Sequence, residues 1–126
     1  MKIFSNLVAI TFLITGLSGC VIVGHDGRHG SKDDWEVEQA KNQSVINQLE
    51  ISDSRQTIFE QLGAPDFSEA FTKDKDTYRI LFYRTQRTSS DGLTSKDETT
   101  PLIFKNEKLV GWGDDALSTV RANLSN

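Results

Sequence analysis

Apolar residues follow three different spacings along the chain. From Ile3 to Leu17 they run almost unbroken behind the basic start Met1-Lys2. Between Trp35 and Leu62 they recur at helical intervals, and from Phe67 to Trp112 they alternate or cluster in short runs bounded by turn residues. The middle stretch predicts two helices. Asp33-Asp34 precede Trp35, and Glu36 and Glu38 fall in the first turn, where acids meet the positive end of a helix dipole. The stripe Trp35, Val37, Ala40, Val45, Ile46 and Leu49 carries that helix to about Leu49. A second begins at Asp53 or Ser54, uses Ile58, Phe59 and Leu62 as its apolar face, and stops at Gly63 before Pro65.

Beyond Pro65 the period becomes that of strands. Phe67, Glu69 and Phe71 mark the first, Lys73-Asp74-Lys75-Asp76 a charged turn, and Tyr78 to Arg87 the strongest strand of the chain. Leu102-Ile103-Phe104 and Leu109-Val110-Gly111-Trp112 form a hairpin about Asn106-Glu107, and Asp114 to Leu124 reads as a short helix. The predicted class is α+β: two N-terminal helices packed on a small antiparallel sheet of three to four strands, with a short C-terminal helix. In the strongest strand, Tyr78, Ile80 and Phe82 share one face and Arg79, Leu81 and Tyr83 the other, so both faces are partly apolar. Two short helices cover one. The other is covered by the tail through Leu117 and Val120, by the long polar loop, or by a partner. If it is open, Leu81, Tyr83, Ile103 and Trp112, with Arg79 or Arg84 at the rim, are candidate partner-binding residues of the aromatic and arginine kind found at interfaces. Gly111 and Gly113 around Trp112 allow a bulge or a close backbone approach there.

Composition narrows the class. The chain has 126 residues, 37% of them hydrophobic, with 14 Lys+Arg against 18 Asp+Glu and a net charge of −4. That is enough for one domain, and its sign disfavours a phosphate-backbone binder. The single cysteine, Cys20, excludes an internal disulfide and a Cys-rich zinc module. The run from Ile3 to Leu17 falls short of the ~20 residues of a bilayer-spanning helix and ends in small residues. Leu17-Ser18-Gly19-Cys20 resembles the lipobox of bacterial lipoproteins, in which the leader is cut before the cysteine and the thiol receives lipid. That resemblance implies a leader over 1–19, a lipid attachment at Cys20 and, because Val21 and not Asp follows, the periplasmic face of the outer membrane. The alternative is an ordinary signal peptide with an unpaired thiol. Residues 20–33, with Gly24, Gly27 and Gly30, read as a flexible tether, and 34–126 as the folded domain. His25 and His29 sit four apart on that tether, which does not preorganise them for a metal.

Two further sets of residues suggest a family. Leu49-Glu50-Ile51, the helix from Ser54 to Leu62 and the junction Leu62-Gly63-Ala64-Pro65 look like the BamE/SmpA/OmlA outer-membrane lipoproteins. Tyr83-Arg84-Thr85, Ser90-Asp91-Gly92, Thr100-Pro101-Leu102 and Gly111-Trp112-Gly113-Asp114 resemble the DUF3192 lipoproteins. The resemblance implies a helix-and-antiparallel-sheet fold and an envelope role, in the BamE case as an accessory of the β-barrel assembly machinery. The Asp/Ser/Thr-rich loop and the extra C-terminal helix depart from the BamE pattern, so no binding residue is carried over.

For catalysis the chain offers little. The histidines lie on the tether, and neither a G-x-S-x-G elbow nor a phosphate loop is present. Asp91, Asp97 and Glu98 share one polar loop, and acids there could converge on a hard cation or a glycosidic bond, although Asp91-Gly92 is also a plain turn signal. The expectation is a non-enzymatic lipoprotein without a cofactor, anchored by membrane lipid and acting by contact with an envelope protein in assembly or maintenance. The rival is a periplasmic domain whose loop over 89–100 binds a cation or polar ligand.

Overall fold

The computed structural model describes residues 34–89 and 91–126. Cys20, His25 and His29, with the expected leader and tether, lie outside the described residues. The elements run α1 (Asp34–Ile46), α2 (Arg55–Leu62), β1 (Phe67–Lys73), β2 (Asp76–Arg84), a 3-10 turn (Lys96–Glu98), β3 (Thr99–Lys105), β4 (Lys108–Trp112) and α3 (Asp114–Ser125). The strands form one antiparallel sheet in the order β1-β2-β3-β4. α1 ends sooner than its apolar stripe suggests, at Ile46, and Leu49 is buried from the turn that follows.

Local chemistry accounts for the turns. Gly63 closes α2 with φ 81° and donates its N–H to Phe59 O at 2.8 Å, a left-handed cap that a side chain would strain. Asp74-Lys75 (φ 52° and 77°) and Asn106-Glu107 (φ 48° and 69°) make two-residue hairpins with both central residues left-handed, the geometry whose twist matches the flanking strands. Asn106 secures its turn by accepting from Thr77 N at 2.9 Å and donating to Asp76 at 2.8 Å.

Packing corrects the expected architecture. The class is α+β, but the helices do not form a single layer with a minor tail. α1 and α2 cover one face, placing Ile46, Leu49, Ile58 and Leu62 on Leu81, Tyr83, Leu102, Phe104 and Leu109. α3, at 12 residues longer than the 8 of α2, covers the opposite face with Leu117, Ala116 and Val120 on Ile80, Phe82 and Ile103. The fold is therefore three layers about a four-stranded sheet, because both faces of β2 and β3 are apolar and each needs its own cover. Of the alternatives for the second face, cover by the tail through Leu117 and Val120 is the one found, but the tail meets Ile80 and Phe82, not Leu81 and Tyr83. Gly111 serves both roles foreseen for it. A register shift falls opposite it between Ile103 and Phe104, and a Cβ there would lie 3.1 Å from that of Ala116. No helix among the described residues is long and apolar enough to cross a membrane.

Candidate functional site

The chemistry concentrates where β2 and β3 part company. Arg84 ends β2 opposite Thr99, the first residue of β3, and the chain between them forms the long polar loop. That loop is built around one carboxylate. Glu98 is 0% exposed, yet its side chain is surrounded by donors. Oε1 accepts from Thr88 N at 2.8 Å, Ser89 N at 3.1 Å and the Thr88 hydroxyl at 3.3 Å; Oε2 accepts from Ser95 N at 3.4 Å and Arg84 Nη2 at 3.5 Å. The Glu98 carbonyl meanwhile accepts Thr85 N at 3.0 Å and Gln86 N at 3.1 Å. One residue thus ties both limbs of the loop to the sheet. The N–H groups of Ser89 and Thr88 hold its carboxyl below the usual carboxylate range, with Ser95 N–H and the Arg84 guanidinium assisting and burial opposing them.

A second layer comes from α1. Its inward positions are Trp35, Gln39, Asn42 and Ile46, a stripe that is polar in the middle. Trp35 lies over two guanidinium groups, with its ring centre 5.3 Å from Arg84 and 4.5 Å from Arg87. Asn42, 1% exposed, donates to Arg84 O at 2.9 Å, and Gln43 donates to Thr85 O. Arg84 is the hinge of the assembly. Its side chain reaches Glu98 and Thr94, its carbonyl takes Asn42, and its own N–H goes to Asp66 Oδ2 at 2.8 Å.

The residues expected to bind a partner are not brought together. Leu81 (5% exposed), Tyr83 (1%) and Trp112 belong to the face under α1 and α2, whereas Ile103 (0%) belongs to the face under α3. The open patch proposed for them does not exist on this fold. Tyr83 donates its hydroxyl to Gly63 O at 3.0 Å, and burial pushes its pKa up to about 12. Of that set only Arg84 stands in the polar assembly. The acids of the loop are near in sequence but serve separate bonds. Asp91 Oδ1 accepts Leu93 N at 2.9 Å, Asp97 Oδ2 accepts the Thr88 hydroxyl at 3.0 Å, and Glu98 is fully engaged as described. Among the described residues no three metal-ligating side chains converge.

Sequence reasoning took Trp35 for core stripe and passed over Asn42, Arg87 and Thr88. A local signal for the key residue was nevertheless present. Ser95-Lys96-Asp97-Glu98 is a capping box, S-x-x-E, in which Ser95 and Glu98 satisfy each other's backbone N–H groups across the 3-10 turn. Chemically the arrangement fixes a shape. An ionised, fully bonded Glu98 has no proton to exchange, and what it sets out is a loop with Leu93 71% exposed; on α1, Val37 is 68% exposed.

A family profile described as "Protein of unknown function (DUF3192)" matches residues 18–119. The chain belongs to the DUF3192 family. The matched span of this DUF3192 protein takes in the whole Arg84 assembly, the four strands and the start of α3. Neither a curated protein nor a solved structure matches the chain.

Proposed function

We propose that this DUF3192 chain is a lipid-anchored protein of the bacterial envelope that works by protein contact, using the loop over 86–98 and the start of α1 as its recognition end. The observation that carries the reading is Glu98: a buried carboxylate engaged by three backbone N–H groups, the Thr88 hydroxyl and the Arg84 guanidinium fixes the shape of a loop whose Leu93 stays in water. Retaining a buried charge for shape makes sense where a surface must be presented in one conformation. Trp35 and Arg87, stacked on each other where α1 meets the first limb of the loop, are residue types that dominate binding energy at interfaces. Attachment at Cys20 rests on Leu17-Ser18-Gly19, and three acyl chains at ~0.8 kcal/mol per buried CH₂ would hold the domain at the bilayer. Val21 favours the outer membrane, and the Leu62-Gly63-Ala64-Pro65 junction favours kinship with BamE-type lipoproteins and, through them, with β-barrel assembly. The rival cation-binding reading loses weight because Asp91, Asp97 and Glu98 already serve internal donors.

Two experiments test it. In cells, Cys20→Ser should move the chain from the membrane to the soluble fraction; retention on the membrane would refute the anchor. A photocrosslinker at Leu93 should give a discrete adduct with an envelope protein that disappears in Glu98→Ala, while one at Ser118 on α3 should not. An adduct pattern shared by both positions would refute the recognition end.

A further inference from the structure

The two edges of the sheet are finished differently. The outer side of β4 is sealed by the turn before α2: Ser52 N donates to Leu109 O at 2.8 Å, Leu109 N donates to Asp53 O at 2.9 Å, and Ser54 bridges Lys108. A register shift in β4 further bends that edge. β1, at the other edge, is 7 residues of regular strand with no bulge and no proline, and nothing among the described residues pairs with its outer side.

Hydrogen-bond parity shows which groups that edge presents. Thr85 N donates to Glu98 O and Asn106 N to Thr77 O, so odd-numbered residues of β2 address β3. Even-numbered ones address β1, in keeping with Asp66 N donating to Phe82 O and Arg84 N to Asp66. The register pairs Phe82, Ile80 and Tyr78 with Phe67, Glu69 and Phe71. The N–H and C=O groups of Ser68, Ala70 and Thr72 therefore point outward. Their side chains are small and exposed, on the part of the sheet that α1 and α2 leave uncovered. The charges that would guard such an edge are turned aside. Glu69 is bound by Lys96 and Arg121, and Lys73 donates to Leu124 O at 2.6 Å and Asn123 O at 3.3 Å, both on the α3 side.

We infer that β1 pairs antiparallel with β1 of a second copy, joining two sheets into one of eight strands with the two-fold axis at Ala70. Full overlap sets Ser68 against Thr72 of the partner and Ala70 against itself, a run of backbone bonds with only small side chains on the uncovered face. On the α3 face it sets Lys73 against the other copy's Phe67, and Glu69 against Phe71 with Lys73 one diagonal away. No like charges stand directly opposed, and the charges of Glu69 and Lys73 are already held by their own copy's side chains and carbonyls. The strand is thus complementary to itself, which singles out a second copy over an unrelated chain.

The full chain carrying Cys20→Ser makes the test independent of the lipid anchor. In that background the pairing predicts that Ala70→Cys oxidises readily to a disulfide dimer, since a hydrogen-bonded pair on the axis sets Cα atoms about 5.5 Å apart, within disulfide reach. Ser68→Cys and Thr72→Cys should each give no disulfide-linked dimer alone and a disulfide-linked dimer when mixed. No dimer from Ala70→Cys, or dimer formed equally by an exposed control at Ser118→Cys, would overturn the proposal. Sedimentation keeps it falsifiable without cysteines: the Cys20→Ser chain should double its mass as concentration rises, and Ala70→Pro, which removes an outward N–H, should remain folded by circular dichroism and monomeric. A chain that stays monomeric throughout contradicts the inference.

Discussion

At the centre of the sheet Leu102, Ile103 and Phe104 are each 0% exposed among aliphatic and aromatic neighbours; at the Arg84 end Glu98 is equally buried, among N–H groups. The first region is held by removal of apolar surface from water and is indifferent to pH. The second is held by directional bonds to a charge, each needing its partner in place, and it fixes a loop in place of a core. The two should therefore fail differently: the centre by global unfolding, the Arg84 end by local opening with the sheet intact.

The largest effect belongs to the centre. Phe104→Ala should cost about 3–5 kcal/mol in denaturant unfolding, the range for a fully buried aromatic truncated to a cavity. Glu98→Ala is the counterpart at the other end. It leaves the N–H groups of Thr88, Ser89 and Ser95 without their acceptor and the Arg84 guanidinium without its counter-charge, so loop amides should lose exchange protection while those of β2 and β3 keep theirs. If Glu98→Ala instead unfolds the whole sheet in one step, the two regions are a single cooperative unit.

Acid sharpens the contrast. The Glu98 carboxyl titrates lower in the folded chain than in the unfolded one, so its contribution is present above the unfolded pKa of about 4.3 and is lost as pH falls through the folded value. Glu69, lowered chiefly by its bond to Lys96, loses its contribution in the same direction. In a Trp112→Phe chain, Trp35 fluorescence should change at a higher pH than the far-ultraviolet circular dichroism of the sheet. Coincident transitions would remove the distinction.

Two smaller effects test the second layer. Asn42→Ala removes the donor to a part-buried carbonyl of Arg84 and should cost about 1–2 kcal/mol. Trp35→Ala removes stacking on Arg84 and Arg87 and should cost roughly 0.5–1 kcal/mol, read by loosening of α1 in hydrogen exchange.

Elements were legible where a local pattern determines them. The cap at Gly63, the Asn106-Glu107 turn and the alternation of β2 each follow from a few adjacent residues, and the structure has all three. The alternation even showed that both faces of β2 are apolar. What it did not show is which helix takes which face, because that depends on the path of the chain after Trp112 and on Gly111 admitting Ala116. Ile103 was grouped with Leu81 for the same reason: their faces are set by pairing, and Leu81 pairs with Leu102. Glu98 was read as a loop acid like its neighbours. Its burial is decided by Thr88 and Ser89, roughly ten positions away, and only the capping box with Ser95 is written locally. Asn42 was hidden in the same way, as a polar residue in an apolar stripe whose partner is a carbonyl 42 positions on.

The central claim is that one carboxylate gives the loop its shape, and Glu98→Gln tests it most directly. Glutamine keeps the size and one acceptor oxygen but lacks the charge and the second acceptor. Hydrogen exchange of the Thr88, Ser89 and Ser95 amides near neutral pH should show strong protection in the native chain and a large loss in Glu98→Gln on the side that faces the new NH₂ group, with the amides of Leu102 to Phe104 unchanged. Equal protection of all three loop amides, Thr88, Ser89 and Ser95, in the two chains would contradict the account.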